Sequence, residues 1–150
     1  MKPEVAEPQV KDLYDQDFFE WTQRNAELLR AGRFAEADIA HIAEEVEDMG
    51  KSQQRELQSR LAVLVMHLLK WKFQPGGRGP SWRATINTQR RDIADLIESM
   101  PSLRRAFNLP KAYARAVADA VDETELPANT FPGKCPFPLD EILDTGFWPE

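Results

Sequence analysis

The sequence has few of the features that would point to secretion, membrane insertion or disulfide bonding. It contains one cysteine among 150 residues, Cys135, so no internal disulfide can form. Its longest uncharged apolar run, residues 61–69, is far shorter than the roughly 20 residues that cross a bilayer. The first eight residues hold two prolines and several charges, without the apolar core of a signal peptide. We therefore expect a cytoplasmic protein that does not bind membranes.

The chain does have an ordinary globular composition with an acidic balance. It is 42% hydrophobic and 29% charged, with a formal net charge of −6 and a pI near 5.0. This length predicts a single domain with a sizeable hydrophobic core. The negative net charge argues against nucleic-acid binding over much of the protein surface. We predict a flexible lead-in over residues 1–13 and one helical domain over residues 14–150.

Apolar residues recur at helical spacing along most of the chain, and no alternating run is long enough to predict a sheet. The predicted fold is all-α, a bundle of four main helices over residues 15–31, 35–73, 82–99 and 110–125. Asn25 lies on the apolar face of the first helix, so we expect a buried, hydrogen-bonded amide. A proline-rich strap over residues 127–138, pinned by aromatic side chains, and a short helix over residues 139–144 should complete the fold.

The second predicted helix is the long central one. Its apolar face continues in phase on both sides of Gly50, which favours one helix over a chain reversal. The residues of this face are Ile39, Ile42, Ala43, Val46 and Met49 before the glycine, then Leu57, Leu61, Leu64, Leu68 and Trp71. His41, Glu44 and Asp48 are predicted on the outer face. Residues 61–69 are apolar almost all round, as in a helix surrounded by other helices.

Several stretches of the chain resemble domain-of-unknown-function family 29, a bacterial family. They are YDQDFFEW, LLRAGRF, IAEEVEDMGKS, SRLAVLVMHLLKWKFQP, SWRATINTQR, PSLRRAF, ETELP, FPGKCPFPLDEILD and FWPE, and they span nearly all of residues 14–150. The resemblance implies an all-helical fold and no established activity. His41 and the ETELP ending depart from the pattern of the family, which argues against a family-wide catalytic role at either position.

A row of polar residues borders the apolar face of the long helix, joined by two residues on the apolar face of the next helix. These candidate site residues are Glu45, Glu56, Arg60, His67, Gln89 and Arg90. One interpretation is an inter-helix site in which Glu45 or Glu56 acts as a base or ligand. The other, which we favour, is a structural ion-pair network. Arg90 is predicted to pair with Glu45 or Glu56, and His67 to be mostly buried and hydrogen-bonded.

Residues 70–91 contain six basic residues and no acid. With the interleaved aromatic residues they form a candidate anion-binding site at Lys70, Lys72, Arg78 and Arg83, which leaves a nucleotide or nucleic acid open as a ligand. The alternative is a solvated loop. Residues 36–48 are acidic instead, so they could dock a basic protein partner or the basic stretch of a second copy.

Neither a metal site nor a catalytic nucleophile is predicted. No two histidines lie one helical turn apart, so we expect no bound metal and no cofactor. Lys134 could lower the pKa of Cys135, but no histidine lies nearby in sequence and the composition of the strap indicates a structural role.

We therefore expect a non-catalytic interaction or regulatory module. The competing hypothesis is a ligand-binding domain or enzyme with its site between the central helix and the third helix.

Overall fold

A computed structural model describes Pro3 and residues 6–150, and within that part of the chain it contains helices and no strands. The α-helices are α1 (Val10–Gln16), α2 (Phe18–Arg30), α3 (Ile39–Phe73), α4 (Pro80–Ser99), α5 (Leu109–Thr124) and α6 (Leu139–Leu143). Short 3-10 turns lie at Pro75–Gly77, Pro101–Ala106 and Ala128–Thr130. The predicted all-α class is confirmed.

The start of the chain differs from the prediction. The single helix expected over residues 15–31 is two helices, because the Asp17 carboxylate accepts a hydrogen bond from the Glu20 amide and so caps α2. Helix α1 begins at Val10, inside the predicted lead-in, and buries Leu13. Of that lead-in, residues 1, 2, 4 and 5 lie outside the described residues.

Helix α3 is continuous over 35 residues and passes through Gly50, as its apolar phase predicted. The helices group into two compact units, whose boundary falls within α3. The first unit comprises the described residues as far as Lys51, and the second is Ser52–Glu150.

The second unit contains the main hydrophobic core. From Leu57 to Trp71, helix α3 contributes its most deeply buried side chains, including Leu61, Leu64 and Leu68, which are fully buried. Residues of α4, α5 and α6 pack in the same cluster, among them Ile86, Ile93, Ala116 and Ile142. The long central helix is therefore confirmed over this half.

Aromatic side chains fix the C-terminal strap to the second unit, as expected. Phe131 packs edge-on against Phe73 with ring centroids 5.5 Å apart. Trp148 lies against Trp71 at 4.8 Å. The hydroxyl of Tyr113 donates a hydrogen bond to the carbonyl of Pro132, so helix α5 holds the strap as well.

Candidate functional site

In the first unit, the apolar face of α3 is open to solvent. Ile39 is 50% exposed, Val46 62% and Met49 69%, while Ile42 is half-buried. These four residues form what we call the apolar stripe. The sequence placed them on an apolar face opposite the outer polar face, and in this half of α3 three of the four are exposed.

Four more large apolar side chains of the first unit are exposed. They are Phe18, Phe19, Leu29 and Phe34, and Phe19 is 73% exposed. In the described part of the chain, every large hydrophobic side chain that is exposed lies between residues 18 and 49. Apolar side chains that are exposed together on one helix face, as in the apolar stripe, are typical of sites that bind another molecule.

In the first unit, α1 and α2 contact polar residues at the start of α3 and just before it, whereas Glu44 and Asp48 of the predicted outer face are exposed, as predicted. The Asp38 carboxylate is 2.7 Å from His41 Nδ1 and accepts a hydrogen bond from Trp21 Nε1 at 2.9 Å. The Tyr14 hydroxyl donates to Glu45 at 2.6 Å, and its ring stacks on the His41 ring with centroids 3.9 Å apart. We call these five residues the polar cluster. The prediction that His41 faces outward is wrong, because its ring stacks on Tyr14 of α1 and is held there by Asp38.

The polar cluster shifts the protonation of its members. The hydrogen bond to the Glu45 carboxylate, with burial, raises the pKa of Tyr14 to about 12. Hydrogen bonding to Asp38 raises the pKa of His41. Burial opposes ionisation of Asp38, but the hydrogen bonds from Trp21 and His41 outweigh it and lower the pKa of this carboxyl. Asp38 is therefore an ionised anchor that fixes the imidazole and the indole together.

Asn25 strengthens the same packing. Its side-chain amide donates to the Trp21 carbonyl at 2.8 Å and accepts from the Asp38 amide at 2.9 Å. The predicted buried, hydrogen-bonded amide is confirmed. Helices α1 and α2 are thus joined to polar residues at and just before the start of α3, while three of the four residues of the apolar stripe stay exposed.

In the second unit, three of the predicted site residues meet. Arg60 bonds to Glu56 through Nη2 at 3.1 Å and to Gln89 through Nη1 at 3.3 Å. The same Nη1 lies 2.9 Å from Asp92, which the sequence analysis missed although it lies one helical turn after Gln89. A cavity of about 260 Å³ adjoins them, lined also by Asp95 and Leu96. Since each partner of Arg60 accepts a hydrogen bond, the group has the form of an interhelical ion-pair network.

The other three predicted site residues have different partners. Glu45 accepts its hydrogen bond from Tyr14 in the first unit. His67 is half-buried, with Nδ1 2.9 Å from the Val63 carbonyl, and burial lowers the pKa of its imidazole. The hydrogen bond expected for His67 is therefore confirmed, and its burial is less complete than predicted.

The predicted carboxylate partner of Arg90 is wrong. Arg90 is 2% exposed, and its Nε and Nη2 each donate a hydrogen bond of 2.8 Å, to the carbonyls of Ile142 and Phe147. Its third nitrogen, Nη1, is buried without a partner among the described residues. Nothing in the sequence indicates this contact, because carbonyl acceptors more than 50 positions away leave no side-chain pattern.

The basic stretch divides into a buried and an exposed part. Lys70 is buried, with Nζ 2.8 Å from Glu123 and 4.7 Å from the centre of the Trp82 ring. This lysine is therefore neutralised within the fold and does not face an external anion. Lys72 reaches the main-chain oxygen of Glu150 at 3.3 Å.

Two exposed arginines are held against tryptophan rings. The guanidinium carbons of Arg78 and Arg83 lie 5.5 and 5.6 Å from the centre of the Trp71 ring. Arg83 also lies 5.3 Å from the Trp148 ring. Arg78 Nε donates to the Trp71 carbonyl at 2.6 Å. Cation–π contacts and this hydrogen bond thus fix two positive charges at the surface.

Cys135 is not prepared for nucleophilic chemistry. Its thiol is half-buried and donates to the Phe137 carbonyl at 3.4 Å. Burial raises the pKa of the thiol, opposite to the lowering proposed for Lys134. The cysteine lies at the edge of an apolar cavity of about 750 Å³, lined also by Tyr113, Val117 and Phe131.

Two further observations concern the described residues as a whole. They contain no group of three or more His, Cys, Asp or Glu side chains placed to hold a metal ion. None of their helices is both long enough and apolar enough to cross a membrane.

The fold and its surfaces define an all-helical protein with an exposed apolar stripe and a separate basic, aromatic surface. The chain belongs to the family described as domain of unknown function DUF29, whose model matches residues 13–148. The resemblance found in the sequence is therefore confirmed over nearly the whole chain. No curated protein and no solved structure matches the chain.

Proposed function

We propose that the protein is a non-catalytic interaction module whose first unit binds a protein partner through the apolar stripe of α3. The observation that carries this proposal is the packing of the helix in the first unit. Glu45 and the preceding Asp38 bond to α1 and α2, whereas Ile39, Val46 and Met49 on the apolar side of the helix are left to solvent.

The energetics favour docking on the stripe. Fully burying a valine, isoleucine or methionine side chain contributes about 1.5–3 kcal/mol each. Because Ile39, Val46 and Met49 are each at least half exposed, covering all three supplies several kcal/mol toward binding. The spacing of the stripe, residues 39, 42, 46 and 49, alternates three and four positions, as in helices that pack against a partner helix.

The negative charge of the first unit favours a positively charged partner. Residues 1–51 contain 13 acidic and six basic residues, a net charge of −7. Glu47 is exposed on one side of the stripe, 4.0 Å from Lys51, and Glu45 borders the other side, where it accepts the hydrogen bond of Tyr14. A partner helix with an apolar face bordered by lysine or arginine matches both features. We therefore propose that the partner is a basic amphipathic helix of another protein.

A second copy of the chain fits less well. Two stripes packed together would bring the flanking carboxylates of both copies close to one another. The basic stretch of a second copy offers no open apolar face, because Trp71 is buried and Lys70 lies over the Trp82 ring.

The proposal is tested with two synthetic helical peptides that share one apolar pattern. One carries lysines beside its apolar face and the other carries glutamates. Isothermal titration calorimetry should show binding of the lysine peptide and much weaker binding of the glutamate peptide. The double variant V46Q/M49Q should lose this binding, because it removes the two most exposed side chains of the stripe.

Ala40→Gln is the matched control, since Ala40 is exposed on the same helix at an angle away from the stripe. It should bind like the natural chain. Equal affinity for the two peptides would overturn the charge argument, and full binding by V46Q/M49Q would overturn the stripe as the site. Concentration-dependent dimerisation that V46Q/M49Q abolishes would replace the partner with a second copy.

The network around Arg60 supports a structural role rather than a catalytic one. Glu56, Gln89 and Asp92 already satisfy this guanidinium, so we propose that it sets the packing of α4 on α3. The single free cysteine supports a reducing compartment, and we propose a cytoplasmic location on that ground.

A further inference from the structure

We infer that Arg78 and Arg83 form a second binding site, independent of the apolar stripe, for the pyrophosphate group of an anionic ligand. The site lies in the second unit, where the loop before α4 meets the start of that helix. The two guanidinium groups carry the inference.

Both guanidiniums keep their charge available. Within the part of the chain that the structure describes, neither arginine forms an ion pair with a carboxylate. The surrounding sequence, residues 70–91, contains no acid. Two exposed cations without local neutralisation produce a positive potential that attracts anions.

The two charges are also preorganised. Both guanidiniums lie against the ring of Trp71, and Arg83 lies against Trp148 as well. Arg78 is anchored by its Nε hydrogen bond to the Trp71 carbonyl. Arg78 Nη2 also donates to the Pro149 carbonyl at 3.5 Å, so Arg78 offers mainly its Nη1 group, while Arg83 has its whole guanidinium available for bidentate contacts with phosphate oxygens. A held guanidinium also loses little side-chain entropy on binding.

The start of α4 adds to the same potential. Gly79 precedes the helix without a capping side chain, and Pro80 occupies the first turn. The amides of Ser81 and Trp82 therefore lie in a first turn that the helix itself cannot satisfy. A helix N-terminus favours anions through its dipole, and here it reinforces the arginines.

The geometry favours the phosphate over the base of a nucleotide. Trp71 is buried, and guanidiniums cover parts of the Trp71 and Trp148 rings. An incoming base has little open ring on which to stack, so recognition rests on charge and hydrogen bonds. A pyrophosphate group offers enough oxygens and charge for two arginines at once, whether an inorganic chain or a nucleoside diphosphate supplies it.

The site is tested by titrating the full chain with pyrophosphate, adenosine diphosphate and adenosine at low ionic strength, following tryptophan fluorescence and binding heat. Pyrophosphate and the diphosphate should bind with similar affinity and adenosine should not bind. Added salt should weaken binding, since the site is exposed and screened. A diphosphate that binds much more tightly than pyrophosphate identifies a nucleotide as the source of the group.

Arg83→Gln is the informative variant, because the Arg83 side chain is exposed and makes no hydrogen bond within the described residues, so its loss should leave the fold intact. It should weaken pyrophosphate binding at least about tenfold, the effect of about 1.4 kcal/mol. Arg91→Gln removes an equal charge from the same stretch at an exposed residue whose side chain is hydrogen-bonded to Thr88, and it should bind normally. No binding of pyrophosphate, or equal losses in the two variants, would overturn the site.

Discussion

Replacing Arg90 should show how strongly the C-terminal residues are tied to the second unit. Arg90→Met removes two charge-assisted hydrogen bonds, to the carbonyls of Ile142 and Phe147. Bonds of this kind contribute about 1.5–3 kcal/mol each, so the gross loss is about 3–6 kcal/mol. Part of it is recovered, because burial disfavours the charged guanidinium and lowers the pKa of Arg90. We expect a net loss of about 2–4 kcal/mol.

The measurement is urea unfolding followed by circular dichroism, together with limited proteolysis. The proteolysis should show earlier cleavage after residue 143, because the carbonyls that held the last residues have lost their donor. Arg90→Lys keeps the charge, but its single ammonium cannot reproduce the planar fork of arginine. The stability of this variant should therefore lie between that of the natural chain and that of Arg90→Met.

Arg91→Met is the control for this prediction. Arg91 is the exposed neighbour, and its bond to Thr88 is 3.3 Å long, so its replacement should cost less than about 0.5 kcal/mol. If Arg90→Met unfolds at the same urea concentration as the natural chain, or if Arg91→Met is equally damaging, the reasoning about Arg90 fails.

Three further predictions concern separate parts of the molecule. Because Asp38 raises the pKa of His41, the first unit should be most stable below the ordinary imidazole pKa of about 6.5 and lose stability as the pH rises through the raised value. Chemical unfolding at several pH values should show this slope, and His41→Asn should remove it. Gly77→Ala should destabilise the chain by about 1–3 kcal/mol, because an added Cβ would overlap the Trp82 ring, whereas Gly76→Ala meets open space and should be neutral by thermal unfolding. Burial raises the pKa of Cys135, so iodoacetamide should alkylate it much more slowly in the folded chain than in urea, and equal rates would contradict this.

The helical phase of the sequence predicted the long helix well, and the reason is physical. Residues that share one face of α3 keep their phase through Gly50, and a continuous helix is the simplest way to keep it. In the second unit that face is buried, with Leu57, Leu61 and Leu64 fully enclosed. There the apolar pattern and the packing agree.

The same pattern failed in the first unit. Ile39, Val46 and Met49 look like core residues in sequence, yet hydrogen bonds of Asp38 and Glu45 determine which side of the helix is packed. A hydrophobic pattern shows that a face can be buried, but it does not show whether the covering surface belongs to the same chain. The pattern therefore predicted the helix correctly, but it did not predict that the apolar face is exposed in the first unit.

Some contacts among the candidate site residues follow from their helical positions. Glu56, Arg60 and Gln89 meet as their helical positions suggested, since side chains at the border of two packed helices face one another. Arg90 was placed correctly on the buried face of α4, but its partners are main-chain carbonyls of a distant segment. Contacts to carbonyls depend on the path of the backbone, which side-chain patterns do not record.

The bonds of Arg90 also have a consequence for biosynthesis. The acceptors lie 52 and 57 residues further along the chain, so a ribosome completes α4 long before either carbonyl has been synthesised. Until then the guanidinium must stay in water or be buried unpaired, and an unpaired buried charge costs about 3–5 kcal/mol. The second unit should therefore reach its native packing only after residue 147 has left the exit tunnel. Chains released before that point should stay loosely packed around Arg90 and be open to proteases.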